Sequence, residues 1–401
     1  VTTTATESAD VVIVGGGIEG TAAAWALARH GITDVVVCER NTVGSGGTGK
    51  SSGIARCHYG VPSLAAMAWK SLPVLEEAEE ILGVDVGFRR TGYVVGVGQR
   101  DVDSLRANLA AQRRLGIDTE SIDRAEVAKL WPSADLTDFA AFGWEPRGGH
   151  GDAYRTAQGF SAAARRYGVR IRQGSAVSEI LTSSGRARGV RLAGGETIAS
   201  GSVVVAAGPW SVSLLSPLGI ELPITVHREQ LILIRPGAGA DLAGAPVFSD
   251  LVSLQYIRPE PTGELLVGNS DLGTLEPADP DRYSDRADPG FLESAVGKVA
   301  LRLPGLPDPA LASSYAGCYD VTPDFNPVIS RTEVDGLVVA AGFSGHGFKI
   351  SPAVGELVAE LVHRGDSTDP AVPAADFRLE RFGEGAPLTS PHPYVGAGQL
   401  R

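Results

Sequence analysis

Cysteine is scarce in this chain: only Cys38, Cys57 and Cys318 occur among 401 residues. They are far apart and odd in number, so they supply no disulfide framework and no C-x-x-C metal pair, and a reducing cytoplasm suits them. Long apolar runs are missing as well; none approaches the roughly 18 residues that span a bilayer. The first nine residues, VTTTATESA, hold neither a basic stretch nor an apolar one. They do not read as a secretory signal, and their polarity predicts disorder. Excess positive charge is also lacking. The formal net charge is −12, and no basic cluster is dense enough to collect phosphates, which argues against nucleic acid as a partner. A local pocket can still be positive inside an acidic protein, so a small anionic substrate stays compatible. No internal repeat is visible. The remaining balance, 43% hydrophobic and 20% charged, is that of a soluble globular protein long enough for two domains.

What the chain does contain is concentrated first between Asp10 and Arg40. The apolar run Val11 to Val14 has the length of a buried strand. Gly15, Gly17 and Gly20 follow at G-x-G-x-x-G spacing, and the Ala-rich segment Thr21 to His30 reads as a helix ending at Gly31. A second apolar run, Val35 to Cys38, ends in Glu39. The geometry is βαβ. Gly15 permits the tight turn, Gly17 lets a pyrophosphate approach the backbone, and Gly20 lets helix and sheet pack closely. The helix N-terminus offers N–H groups to phosphate, and Glu39 stands where a carboxylate accepts hydrogen bonds from a ribose diol. These features together predict a dinucleotide site. The second Gly-rich stretch, Gly44 to Gly53, favours the longer, permanently bound FAD over NAD.

Farther on, Leu64 to Leu82 reads as a helix, Phe88 to Val97 as a strand pair, and Asp101 to Leu115 and Ser121 to Leu130 as helices, the latter with Ser121 as a partial cap. Phe139 to Trp144 is a strand, Thr156 to Tyr167 a helix and Val169 to Arg172 a strand. Strands are also expected at Ser175 to Leu181, Ala187 to Leu192 and Ser202 to Ala206. From about Pro223 the alternating runs QLILI, LQYIRP and ELLVG indicate an antiparallel sheet. Leu337 to Ala341 is again a buried strand, and Pro352 to His363 a closing helix. The segment from Gly365 to Arg401, rich in Pro, Gly and Ala, reads as an irregular wrap or a loose end. The expected fold is α/β: a discontinuous Rossmann-type FAD-binding domain (1–85, 150–222 and 320–364), a mainly antiparallel α+β substrate domain (86–149 and 223–319), and a tail (365–401). A ligand pocket is expected between the two domains.

The motifs GGGIEG with CER, VVVAAGPWS, AGCYDVTPDFNPVIS and VAAGFSGHGFKISP, in this order, resemble those of FAD-dependent amino-acid and amine oxidases of the D-amino-acid oxidase superfamily. The likeness spans about residues 10 to 364 and is greatest to sarcosine oxidases, glycine oxidases and dimethylglycine-type dehydrogenases. It implies FAD contacts at Gly15, Gly17, Ile18 and Gly20, at Glu39 and Arg40, and at Gly49, Ser51 and Ser52. Further contacts are implied at Val177, Ala207, Gly208 and Trp210, and at Gly342, Gly345, His346, Gly347, Phe348 and Lys349. In sarcosine oxidases the positions of Arg56 and Lys349 grip the substrate carboxylate. A guanidinium fork and an ammonium point charge suit that task. A structural ion pair for Arg56 and a solvated loop lysine for Lys349 are the plainer readings. Tyr59, Tyr256 and Arg258 are expected to line the substrate pocket, with Arg56, Lys349 and Tyr256 as the catalytic set; core packing is an equal alternative for Tyr256.

Two departures from the family pattern bear on chemistry. Monomeric sarcosine oxidases attach the flavin through a Cys ahead of the triplet matched here by Thr322, Pro323 and Asp324. Gly317 stands at that position and Cys318 one residue late, on the other face of a strand. Noncovalent FAD is therefore expected, with His58 as the alternative attachment point. Those enzymes also activate oxygen with a lysine after a segment like LLVGNSDLG, yet no lysine lies between Val267 and Asp279. The leading expectation is oxidation of a small carboxylated amine by hydride transfer to flavin N5, with imine hydrolysis and oxygen as acceptor giving peroxide. A dehydrogenase passing electrons to another acceptor or partner subunit, and a non-catalytic flavoprotein subunit, are the alternatives.

Overall fold

The structure is a computed structural model and describes residues 7–240, 242 and 244–395. Its centre is built from short, almost wholly apolar runs: Val11–Val14, Val35–Cys38, Ser202–Val205 and Leu337–Ala341. Such runs are stable only where both sheet faces are covered. They lie in a six-stranded sheet ordered Val328–Arg331, Leu337–Ala341, Ser202–Val205, Val11–Val14, Val35–Cys38, Arg170–Arg172. Every neighbouring pair is parallel except Val328–Arg331 with Leu337–Ala341. Successive side chains alternate between two cores. Val11 and Ile13 pack with the helices Ile18–Arg29, Ala153–Arg166 and Gly347–His363, while Val12 and Val14 pack towards a four-stranded sheet on the other face.

A nine-stranded sheet forms the second unit, with Thr225–Arg235, Leu265–Asn269, Gln255–Pro259, Val247–Asp250, Tyr93–Val97 and Ala141–Glu145 adjacent in that order. Ala310–Val321 pairs with the free side of Thr225–Arg235. All pairings are antiparallel except Val247–Asp250 with Tyr93–Val97. Register sets which side chains share a face. His227 pairs with Tyr319, Glu229 with Gly317, and Leu231 with both Tyr315 and Gly268, while Gly268 also pairs with Tyr256. Cross-strand partners share a face, so these residues lie on one side of the sheet.

Several elements depart from expectation. Glu7–Ser8 is not disordered but pairs with Thr197–Ala199, and Arg170 and Arg172 hold Glu7; residues 1–6 lie outside the described residues. The helix expected from Leu64 to Leu82 is two, Pro62–Glu76 and Ala78–Leu82, broken at Glu77. The strand pair expected at Phe88 to Val97 is one strand, Tyr93–Val97. Ser121 belongs to the strand Glu120–Ile122. The helix Arg124–Leu130 is capped instead by Asp123, which forms a reciprocal capping box with Glu126. The final helix begins five residues early, at Gly347. The tail is a wrap: Arg381 is buried on Asp324, and Tyr394 is buried in the antiparallel domain's core.

Candidate active site

The first turn is held by close backbone contact. Gly15 has φ +110°, and a Cβ there would lie 2.3 Å from the Ala206 carbonyl oxygen. A Cβ on Gly20 would lie 2.0 Å from the Gly15 carbonyl oxygen, so neither position accepts another residue without movement. Thr48, in the second Gly-rich stretch, accepts the Ile18 N–H at 3.0 Å. That stretch thus folds onto the N-terminus of Ile18–Arg29 and satisfies one of its free donors. The Glu39 carboxylate accepts the Gly16 and Asn41 N–H groups, each at 2.8 Å. Arg40 stacks over Trp210 at 3.8 Å, and Asp281 accepts hydrogen bonds from both.

These groups border a cavity of about 460 Å³ between the two large sheets. Of the expected cofactor residues, Gly15, Gly17, Ile18, Glu39, Arg40, Ser51, Ser52, Val177, Ala207, Gly208, Trp210, Gly345, Gly347 and Phe348 line it. Gly20, Gly49, Gly342, His346 and Lys349 do not. Gly20 packs helix on strand, Gly49 packs on Gly44, Gly342 packs on Thr322, and His346 and Lys349 face Tyr59. Sequence reasoning passed over Glu19, Thr48, Lys50, Glu229, Tyr319 and Asp320, all on the wall. Thr48 and Lys50 are brought there by loop folding, and Glu229 and Tyr319 by sheet register, neither of which has a local signature. Glu19 was in plain view inside GGGIEG.

The donor set fits FAD. A helix N-terminus and a Gly-rich backbone face the cavity for phosphate. A carboxylate stands at the end of the second strand, and a wholly buried carboxyl, Glu19, has no hydrogen-bond partner for either oxygen among the described residues. Among the described residues no group of His, Cys, Asp and Glu is placed to hold a metal. Gly317 and Cys318 both border the cavity, so Cys318 is not turned fully away. Burial pushes its thiol up to about 11, which leaves it a poor nucleophile. His58 is not on the cavity wall: it is buried, bonds Tyr394 at 2.8 Å, and burial with nearby Arg56 lowers it to about 3.

Beside the cavity lies a compact cationic cluster. Arg56, which follows the strand Ile54–Ala55, and Lys349, in the first turn of Gly347–His363, meet at Tyr59. The Arg56 guanidinium stands 4.4 Å from the ring centre and the Lys349 ammonium 5.8 Å. All three are buried. Arg56 donates to the His58 carbonyl. Lys349 has no hydrogen-bond acceptor among the described residues, and burial and then Arg56 press its pKa well below the usual lysine range. Tyr59 donates to or accepts from His346 Nδ1 at 3.0 Å. Glu145, near Arg56, accepts the Cys57 N–H at 2.8 Å, and burial pushes it up to about 7. Tyr256 is buried on the sheet wall near Ser52, a cavity residue. Arg258 pairs with Glu260 and, at 2.9 Å, with His150.

No helix among the described residues is long and apolar enough to cross a membrane. The chain is 32% identical to a sarcosine oxidase subunit beta from Rhizobium meliloti (strain 1021), over 94% of this chain and 89% of that one. The fold is similar to L-proline dehydrogenase from P. horikoshii, with a TM-score of 0.86, 27% identity and coverage of 96% of this chain and 100% of that chain. It is likewise similar to glycine oxidase from Geobacillus kaustophilus, with a TM-score of 0.80, 26% identity, and 94% and 99% coverage. The family described as FAD dependent oxidoreductase matches residues 10–361. With its βαβ turn, its cavity and these matches taken together, the chain belongs to the DAO family of FAD-dependent oxidoreductases.

Proposed function

We propose that the protein oxidises the C–N bond of a small carboxylated amine: glycine, sarcosine or another N-substituted glycine. The observation that carries this reading is the meeting of Arg56 and Lys349 on the Tyr59 ring. A carboxylate matches a guanidinium fork beside an ammonium, and a buried ammonium is favoured once an anion lies next to it. FAD, when bound, supplies the two-electron acceptor. The chain's own residues do the placing. Arg56 and Lys349 anchor the carboxylate, while Tyr59 and Tyr256 wall the pocket and limit water. The carbon next to nitrogen is thereby presented in one orientation, which is where the rate gain comes from. No side-chain base is needed when the amine enters deprotonated, and water hydrolyses the resulting imine to a carbonyl compound and an amine.

The same reading places FAD in segments 1–85, 150–222 and 320–364 and the amine against 86–149 and 223–319. It holds the cofactor noncovalently, because Gly317 stands where an attaching Cys would be, and it hands the electrons to oxygen. A second reading, a dehydrogenase with a different acceptor, is favoured by the absence of lysine between Val267 and Asp279 and by the similarity to an L-proline dehydrogenase. The first test is the visible spectrum of the protein without oxygen as glycine, sarcosine and bulkier N-alkyl glycines are added. Bleaching of the flavin band by one of them is the expected result, and indifference to all of them overturns the substrate class. Peroxide formed in step with turnover in air supports oxygen as acceptor; its absence, with turnover restored by a dye, supports the second reading.

A further inference from the structure

Two carboxyl groups border the FAD cavity, and nothing in the amine chemistry uses them. Glu19 lies in the first turn of Ile18–Arg29, and Asp320 near the end of Ala310–Val321; both line the cavity. Their surroundings differ. Asp320 accepts the Gly342 N–H at 2.7 Å, and further backbone N–H groups favour its charged form; burial leaves it at about 6. Glu19 has no donor on either oxygen among the described residues. Its carboxyl lies against the start of the closing helix: a Cβ on Gly347 would stand 2.4 Å from Glu19 Oε1. Two carboxylates so placed do not both ionise, and the one with hydrogen-bond donors keeps the charge. Burial and then the Asp320 charge push Glu19 well above the usual carboxylate range.

We propose that Glu19 is a cofactor-binding acid: it keeps its proton and donates it in a hydrogen bond to an acceptor oxygen of FAD, with Asp320 as the fixed anion that holds the proton on it. An ionised Glu19 would have nothing to accept from and would repel an anionic dinucleotide, whereas the neutral acid satisfies itself only when the cofactor arrives. Glu229, on the sheet wall of the same cavity, is also pushed up by burial, to about 8, and its titration is shared by the wild type and the Glu19→Gln variant. His346 and Lys349 of the closing helix face Tyr59, and Glu39 is held by Gly16 and Asn41. Lys50, from the Gly-rich stretch, borders the same cavity next to Gly317, and Ala153–Arg166 contributes only Ala153 to the wall. The inference concerns the cofactor alone and stands whichever amine is oxidised.

The test is the FAD dissociation constant of the apoprotein, read from flavin fluorescence between pH 6 and 9. Binding needs the protonated acid, so it is tight below the Glu19 pKa and weakens above it, by up to about tenfold per pH unit for one linked proton. Glu19→Gln, neutral and of the same shape, is expected to bind FAD with that pH dependence removed. Asp320→Asn removes the neighbouring charge, so weakening is expected to begin at lower pH than in the wild type. Parallel pH curves for wild type and Glu19→Gln overturn the proposal. If Glu19→Gln gives no folded apoprotein by circular dichroism, the Asp320→Asn curve decides, and a curve superimposable on the wild type overturns it.

Discussion

Lys349 is enclosed by protein and shares the Tyr59 ring with Arg56, so its positive charge is disfavoured until an anion enters. Two outcomes follow at this position. Replacing Lys349 with Met, or Arg56 with Lys, removes charge-assisted hydrogen bonds to a carboxylate, each worth about 1.5–3 kcal/mol. KM for a carboxylated amine is expected to rise roughly ten- to a hundred-fold by that energy, with FAD affinity unchanged; steady-state kinetics and flavin titration separate the two. The pH dependence has a definite sign. Lys349 grips the carboxylate as the ammonium, and its pKa in the free enzyme is lowered, so KM rises as pH climbs through that value and is lowest below it. The slope is at most about tenfold per pH unit for one proton. Lys349→Met is expected to flatten this rise, and the dissociation constant of a simple carboxylate inhibitor across pH reads it without turnover. Lys349 was legible in the sequence as a lysine set among glycines. Glu19 stood in view inside GGGIEG, but its role did not: a glutamate in a first helical turn reads as an ordinary partner of the helix dipole, and only the cavity it shares with Asp320 sets it apart.

Between residues and the whole lie the elements that aim these groups. Gly268, in the strand Leu265–Asn269, leaves room for Tyr256: a Cβ there would lie 2.1 Å from the Tyr256 ring. Gly268→Ala is expected to push Tyr256 from the sheet wall and lower kcat/KM by roughly tenfold to a hundredfold, the scale of a displacement near 1 Å, without weakening FAD. Equal loss of FAD affinity would show that the wall is not independent of the cofactor site. The tail is the second such element. Arg381 is buried on Asp324, which also accepts the Leu388 N–H, and Tyr394 bonds His58 two residues from Arg56. Arg381→Ala strands a buried carboxylate, a loss of about 3–5 kcal/mol, visible in a denaturant midpoint. These links explain what the sequence left unread. The runs Val11 to Val14 and Leu337 to Ala341 announce themselves because a buried strand is apolar throughout. The tail has no period, and its partners lie 57 and 336 positions away in the chain. The cap at Asp123 is legible as D-x-x-E, whereas Ser121, a cap residue by type, serves the strand before it.

For the molecule as a whole, the cavity is where the two large sheets meet, with walls from Val14 and Glu39 on one side and Glu229, Leu231 and Tyr319 on the other. A dinucleotide held by the Gly-rich turn and the second strand there also borders the antiparallel sheet wall. FAD therefore acts as a stabilising ligand of the fold: at a hundredfold excess over its dissociation constant it adds about 2.7 kcal/mol. Stripping it is expected to lower the melting temperature, and adding it back to restore that temperature in proportion to the logarithm of its concentration. A covalent link would break this relation, since the cofactor could not then be removed. The chemistry of the wall argues for release: Gly317 offers no nucleophile, and the Cys318 thiol beside it, raised to about 11, is almost wholly protonated at neutral pH. Acid precipitation of the purified holoprotein is accordingly expected to leave the yellow colour in the supernatant and a colourless pellet. A fluorescent flavin band that stays with the chain on a denaturing gel would reverse this, and its absence from a Cys318→Ala variant would identify Cys318 as the attachment point despite its protonated resting state.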